Sequence, residues 1–439
     1  MILFLLAACV DGTKDDTGPA TPTGSVAVKD LAAVPSEGMG SVLIATWTTD
    51  EPTTGYVAFG EGTAFDLASP LDTTASTTHQ ALLLGAPPDT DITLKVMLED
   101  GSESAAITVS TDPLPLETPS LDVTNPEGND LWTVMTILGG TNGPAIVSPS
   151  GRIVWFYPDG RGLDVYRARL SVDGQSVLYN AASVSGDPAD NSEIVRVSLD
   201  GNTETSILVP LLAHDFLELA DGTITAMVTE YRDGSNGEPI RGDSLVEIAP
   251  DGTQTKVWDS WMCFDPDVDV VSASETGWTF ANALDYLPDE DMYAMSLRNF
   301  STIIKIDRAT GACPWTMGDI GARIQPTGEV FLHQHQFEFA DADTLVLFDN
   351  SGGRNGSRAL EYAITDDSAT AVWSYSADPE IDTFVLGDVD RLDNGDTLVD
   401  FAVGGQVDRV DPDGNVLWRI NSPLGYAFGF MTAEAGLYK

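Results

Sequence analysis

Apolar positions along this chain come in short runs, alternating or continuous, broken by Gly, Pro, Asp and Asn; no stretch of useful length keeps a helical period. Both features predict strands. Between residues 25 and 113 the runs "SVLIATWTTD", "TGYVAFGEG", "HQALLLG" and "DITLKVMLED" follow one another at the spacing of a β-sandwich, with Trp47 as a core residue. His79 reads here as a strand-packing or surface residue. The Pro-rich stretch "DPLPLETPS" (112–120) is a linker to the remainder, residues 120–439.

That remainder repeats. One unit is a turn followed by a strand that often ends in Trp: "SPSGRIVWFY", "SLDGNTETSI", "APDGTQTKVW", "DRATGACPW", "TDDSATAVWSY" and "DPDGNVLW". Between these runs a second unit, a strand, an acidic or Gly turn and another strand: "YRARLSVDGQSVLYN", "HDFLELADGTITAMV", "NALDYLPDEDMYAMS", "HQFEFADADTLVLFD" and "GDVDRLDNGDTLVDF". Two hairpins per period make four strands, and six periods predict an all-β fold, a six-bladed β-propeller preceded by the sandwich. Closure of such a ring leaves no sheet edge open.

Aligned on their turns, the five inner units carry Tyr166, His214, Asn282, His335 and Gly387 at one position. The chain has only 4 histidines, so two of them at equivalent places point to a shared axial funnel. His333 lies one period-2 step before His335 and is expected on the same strand face.

Composition narrows the partners. Against 68 Asp and Glu stand 21 Lys and Arg, for a net charge of −47, so nucleic acid is excluded as a partner for want of clustered cations. The acid otherwise reads as a solvated surface. "DPDVD", with Asp265, Asp267 and Asp269, has alternating carboxylates but no ligating Glu or Gly at useful spacing, so it reads as an acidic loop and no metal is expected.

The start of the chain, "MILFLLAACVDGTKDDTGPATPTG", resembles a bacterial lipoprotein signal. Residues 1–9 form an apolar run too short to span a bilayer, ending in Leu-Ala-Ala-Cys, and 10–24 have the composition of a tether. Cys9 is then the acylated residue, and the protein is extracytoplasmic, held to a bacterial membrane (outer membrane or periplasmic face) by lipid alone. Cys263 and Cys313 remain, as a disulfide or as two buried thiols.

"AHDFLELADGTI", the long block "WTFANALDYLPDEDMYAMSLRNFSTIIKIDRATGACPW" and "HQHQFEFADADTLVLFDNSGGRNGSRALEYAI" resemble motifs of the bacterial arylsulfate sulfotransferase (arylsulfotransferase) family over roughly residues 120–420. "ATWTTDEPTTGYVAFG" and "APPDTDITLKVMLEDG" are similar to a fibronectin type III domain. The first resemblance implies transfer of a sulfuryl group from an aryl sulfate to a phenol, without the nucleotide donor PAPS and without a cofactor. It places His335 at the transiently sulfated histidine and His214, Asn282 and Arg298 at its sulfate-binding residues; Tyr166 could flank an aryl ring. Two positions depart from the family: Phe280 stands where the family has His, and "GYAFGFM" replaces Arg-rich text near the C-terminus. Arg358 reads as a structural cation. The competing reading is a non-catalytic extracytoplasmic propeller that binds a ligand or partner. A quinoprotein reading rests on "DRATGACPW", a docking pattern that occurs here once.

Overall fold

A computed structural model of the chain describes residues 26–183, 191–273, 275–353 and 356–439. The lipoprotein-like segment and Cys9 lie outside the described residues. The described residues are all-β, with a few single-turn 3₁₀ segments.

At the N-terminal end two sheets face each other. One orders Val28–Pro35, Leu43–Thr53 and Ser76–Leu83; the other orders Leu67–Ala68, Gly55–Glu61, Asp91–Leu98 and Ile107–Ser110. Alternation in Leu43–Thr53 and Asp91–Leu98 sends every second side chain inward, so Leu43, Ala45, Trp47, Ile92, Leu94 and Val96 pack as one core. His79 stacks on Trp47 with ring centroids 4.8 Å apart, and its Nδ1 lies 2.6 Å from Asp72. It packs a strand pair.

The rest of the chain forms six antiparallel sheets of four strands, the sixth joined by Asp122–Thr124 as a fifth strand. Five of these are meanders of consecutive strands, beginning with Asp164–Leu170, Leu212–Glu218, Ala281–Leu287, Phe337–Asp341 and Asp388–Arg391. In the remaining sheet the last strand of the chain, Ala427–Glu434, pairs with Trp132–Leu138. That pairing explains why five inner units but six outer ones are visible in the sequence: the missing inner hairpin is assembled from the two ends of the repeat region. First strands of successive sheets touch in order, and Asp388–Arg391 meets Ala427–Glu434, which in turn meets Asp164–Leu170. The result is propeller-like.

The outer Trp residues fasten neighbouring sheets. Trp155, Trp315 and Trp373 donate their indole N–H to the carbonyls of Leu199, Thr365 and Pro412, each in a turn of the following sheet. A buried Trp brings large apolar area and one donor that needs a partner, and a turn carbonyl supplies it. Cys263 and Cys313 form a disulfide, Cα atoms 6.0 Å apart, tying the outer edges of two successive sheets.

Charged side chains are buried where the first strands converge. Arg167 bonds Asp215, Asp388 and the Met431 carbonyl, while Asp388 also accepts the Met431 N–H. Such groups stay buried only because each is paired or bonded to backbone.

Candidate active site

Several of the innermost strands lose their regular register, three of them beside candidate side chains. Irregularities fall between Val165 and Ala168, Leu212 and Phe216, Ala281 and Ala283, and Phe428 and Met431. A bulge redirects side chains away from the pleat, which is how Tyr166 and His214 come to face one end of the ring. Asn180 fixes two of these bulges. Its Oδ1 accepts the N–H groups of Tyr166 and Arg167, and its Nδ2 donates to the carbonyls of Ala213 and His214.

Tyr166, His214, Phe280, Arg298 and His335 line one cavity of about 540 Å³, together with Arg241, Glu275, Thr276, Val385 and Leu386. His214 lies between Tyr166 (ring centroids 5.0 Å), Phe280 (5.4 Å) and His335 (6.2 Å).

His335 is 1% exposed, and its tautomer follows from its neighbours. The Leu386 N–H donates to Nε2 (3.0 Å), so Nε2 is the unprotonated nitrogen. Nδ1–H donates to Asn350 Oδ1 at 2.7 Å, and Asn350 is oriented by its own Nδ2, which donates to the carbonyls of Thr383 and Leu386. Burial, then the neighbouring His214, pulls the His335 imidazole well below its ordinary value. His214 is drawn down to about 4 by burial and by Arg241. Both rings are neutral at pH 7. His214 Nδ1 is buried without a hydrogen-bond partner.

The cations differ in their company. Arg298 lies 3.4 Å from Glu275 and donates to Asn299 Oδ1. Arg241 reaches Thr229 Oγ1 at 3.4 Å and has no carboxylate within ion-pair distance among the described residues. Their guanidinium carbons sit 5.3 Å (Arg241) and 5.8 Å (Arg298) from the Phe280 ring centre.

Two expected site residues stand elsewhere. His333 does not share the face of His335: the strand starts only at Phe337, and His333 has a left-handed backbone (φ +57°), so period-2 reasoning fails before it. Its Nε2 lies 3.4 Å from Glu275, and it is not among the residues that line the cavity. Asn282 is fully buried, donates to the Gln334 carbonyl (2.8 Å), and does not line the cavity. Gly387, the fifth aligned position, has φ +107° and lies against Phe348, while its neighbour Leu386 reaches the cavity. Arg358 bonds Asp349, Glu329 and the Val330 carbonyl, a structural arrangement. Asp265 and Asp269 accept backbone N–H groups within their own turn, and no three His, Cys, Asp or Glu side chains among the described residues converge as metal ligands.

Arg241, Glu275 and Asn350 were not singled out from sequence. Arg241 belongs to a third strand, Pro239–Ile248, outside the aligned inner units. Asn350 ends the quoted "LFDN", but nothing in its spacing marks a histidine partner.

The family model described as "Arylsulfotransferase (ASST)" matches residues 122–416, well over half of the chain. No curated protein matches. Among solved structures, a protein of unknown function from Bacteroides caccae is 13% identical, with 69% of this chain and 98% of that chain covered and a TM-score of 0.45. A streptogramin B lyase is 12% identical over 68% of this chain and 86% of that chain, with a TM-score of 0.39. An auxiliary nutrient binding protein from Bacteroides ovatus is 10% identical over 92% and 87%, with a TM-score of 0.38.

Proposed function

Because the chain belongs to the arylsulfotransferase family, for which sulfuryl transfer involving small aryl substrates is the general role, we propose that it moves a sulfuryl group from an aryl sulfate to a phenol through His335. The observation that carries this reading is the convergence of His335, His214, Tyr166, Phe280 and Arg298 on one cavity.

In the first half-reaction the His335 Nε2 lone pair attacks sulfur, the N–S bond forms, and the S–O bond to the aryl group breaks. The phenolate leaves and takes a proton from solvent. In the second, a phenol oxygen attacks the same sulfur, the N–S bond breaks, and the acceptor's proton is lost to solvent. A neutral imidazole is required for attack, and burial keeps it neutral. Developing positive charge on the ring is met by Asn350 Oδ1 at Nδ1–H. Since the Leu386 N–H occupies Nε2 at rest, attack also requires the 385–387 turn to release it.

Incubation with 4-nitrophenyl sulfate is expected to release 4-nitrophenol and leave sulfate on His335, and His335→Asn should abolish both. An added donor at position 280 should help the non-bridging oxygens, where one such group is worth about 10²–10³-fold in rate, so Phe280→His is expected to raise turnover. If neither wild type nor Phe280→His releases phenol from several aryl sulfates, the ligand-binding reading replaces this one.

We extend the proposal to the whole chain. Acylation at Cys9 would hold the protein outside the cytoplasm; loss of a clickable fatty-acid label in Cys9→Ala is the expected result, and its persistence counts against the anchor. The N-terminal sheet pair reads as fibronectin type III-like, supported by its strand order, and the six four-stranded sheets read as six blades. An experimental density map with any other number of blades overturns the second point.

A further inference from the structure

We propose that Arg241 is the principal cation holding the sulfuryl oxygens in the cavity, ahead of Arg298; the reaction it serves rests on the sulfotransfer reading above. Acidic residues outnumber basic ones 68 to 21 in this chain, so a cation without a carboxylate is the exception. Arg298 is paired with Glu275 at 3.4 Å, while among the described residues no carboxylate lies within ion-pair distance of Arg241. Among the described residues its side chain makes one hydrogen bond, a long one to Thr229, which leaves most of its five N–H donors for a ligand.

The side chain is held in place. The Arg241 carbonyl accepts the Trp278 N–H at 2.7 Å, its backbone pairs with Tyr231, and a Cβ at Gly277 would lie 3.2 Å from Arg241 Cδ. Asp243, two residues along the strand, feels the charge of Arg241 but is not within ion-pair distance of it, and its Oδ2 is occupied by Thr279 Oγ1 and the Ala281 N–H. Both guanidinium groups lie within cation–π distance of the Phe280 ring. A planar fork of donors fits two oxygens of a sulfuryl group at once, and in a loose transition state the charge on those oxygens is what needs stabilising.

The position of Arg241 also tells the two ends of the substrate apart. Arg241 and Glu275 line both the cavity and an adjoining groove of about 520 Å³ that contains Ile240, Val270 and Val271. Since that groove also carries Ser235, Asn236, Glu238 and Asp267, an oxygen-bearing head at Arg241 leaves the aryl body to the Tyr166 and Phe280 rings of the cavity.

Binding of 4-toluenesulfonate, which carries the anion but has no ester to cleave, separates this proposal from the reaction itself. Calorimetry is expected to show binding to wild type and to His335→Asn, weak binding to Arg241→Lys, and none to Arg241→Gln; Arg298→Gln should bind more tightly than Arg241→Gln. In turnover with 4-nitrophenyl sulfate, Arg241→Gln should lose about 10²-fold in kcat/KM. Added guanidinium ion should restore part of the activity of Arg241→Ala, which a merely structural role would not allow. Absence of phenol release by wild type, with sulfonate binding still dependent on Arg241, would sink the reaction and leave this site standing. Sulfonate binding equal in wild type and Arg241→Gln, or absent from wild type, overturns the assignment.

Discussion

Asn350 decides which nitrogen of His335 carries the proton, and it does so because its own amide is fixed by the carbonyls of Thr383 and Leu386. Asn350→Leu keeps the volume but removes the acceptor, so Nδ1–H is left buried and the other tautomer is released. We expect kcat to fall by about 10²-fold or more while the protein stays folded, as for other catalytic histidines that lose their orienting group. Unchanged kcat in that variant would show that the tautomer does not matter. Sequence reached His335, His214 and Tyr166 because each sits a fixed distance before an inner turn. It misplaced His333, since nothing in "FLHQHQ" shows where regular strand begins, and it passed over Arg241 because a third strand lies outside the aligned repeat. Asn282 holds the same position in the aligned units, yet its side chain serves the Gln334 carbonyl.

At the scale of strands and turns, periodicity revealed more than it did at the site. Turn spacing separates inner from outer hairpins, and the recurring Trp marks the outer strand, because the packing that needs them repeats in every sheet. Bulges carry no such signature; they come from contacts across sheets, such as those Asn180 makes, which a single chain segment does not encode. The Cys263–Cys313 bond closes a sequence separation of 50 residues between two sheets. Removing it with Cys263→Ala and Cys313→Ala together should lower unfolding free energy by about 2–4 kcal/mol, chiefly by freeing the unfolded chain. Urea titration measures this, with an unchanged midpoint counting against it. The cavity is built from other segments, so sulfonate binding in the double variant should match wild type.

The whole molecule carries acid on its surface and at its centre, and the two respond differently to pH and salt. Burial, with Asp390 nearby, raises Glu338 to about 8, and burial raises Asp388 to about 7. Both folded-state values lie above the ordinary carboxyl range, so the folded protein holds protons that the unfolded chain has released. Their contribution is therefore fully present below about pH 4 and is lost as pH climbs through 7 and 8. His214 and His335 act the other way: lowered in the fold, they cost stability as pH falls below the imidazole range. Melting temperature should accordingly pass through a maximum in mildly acidic buffer and decline toward pH 9. High salt screens the surface but not the centre, so the decline should persist there, and Glu338→Gln should flatten it. A flat profile in wild type at high salt contradicts the assignment of buried protonated carboxyls. The pairing of Ala427–Glu434 with Trp132–Leu138 has a temporal side as well. A ribosome makes the first of these strands some 300 residues before the second. The N-terminal sheets and the five meanders can form as they emerge, but the ring must wait, open at one seam, until Ala427–Glu434 has been made.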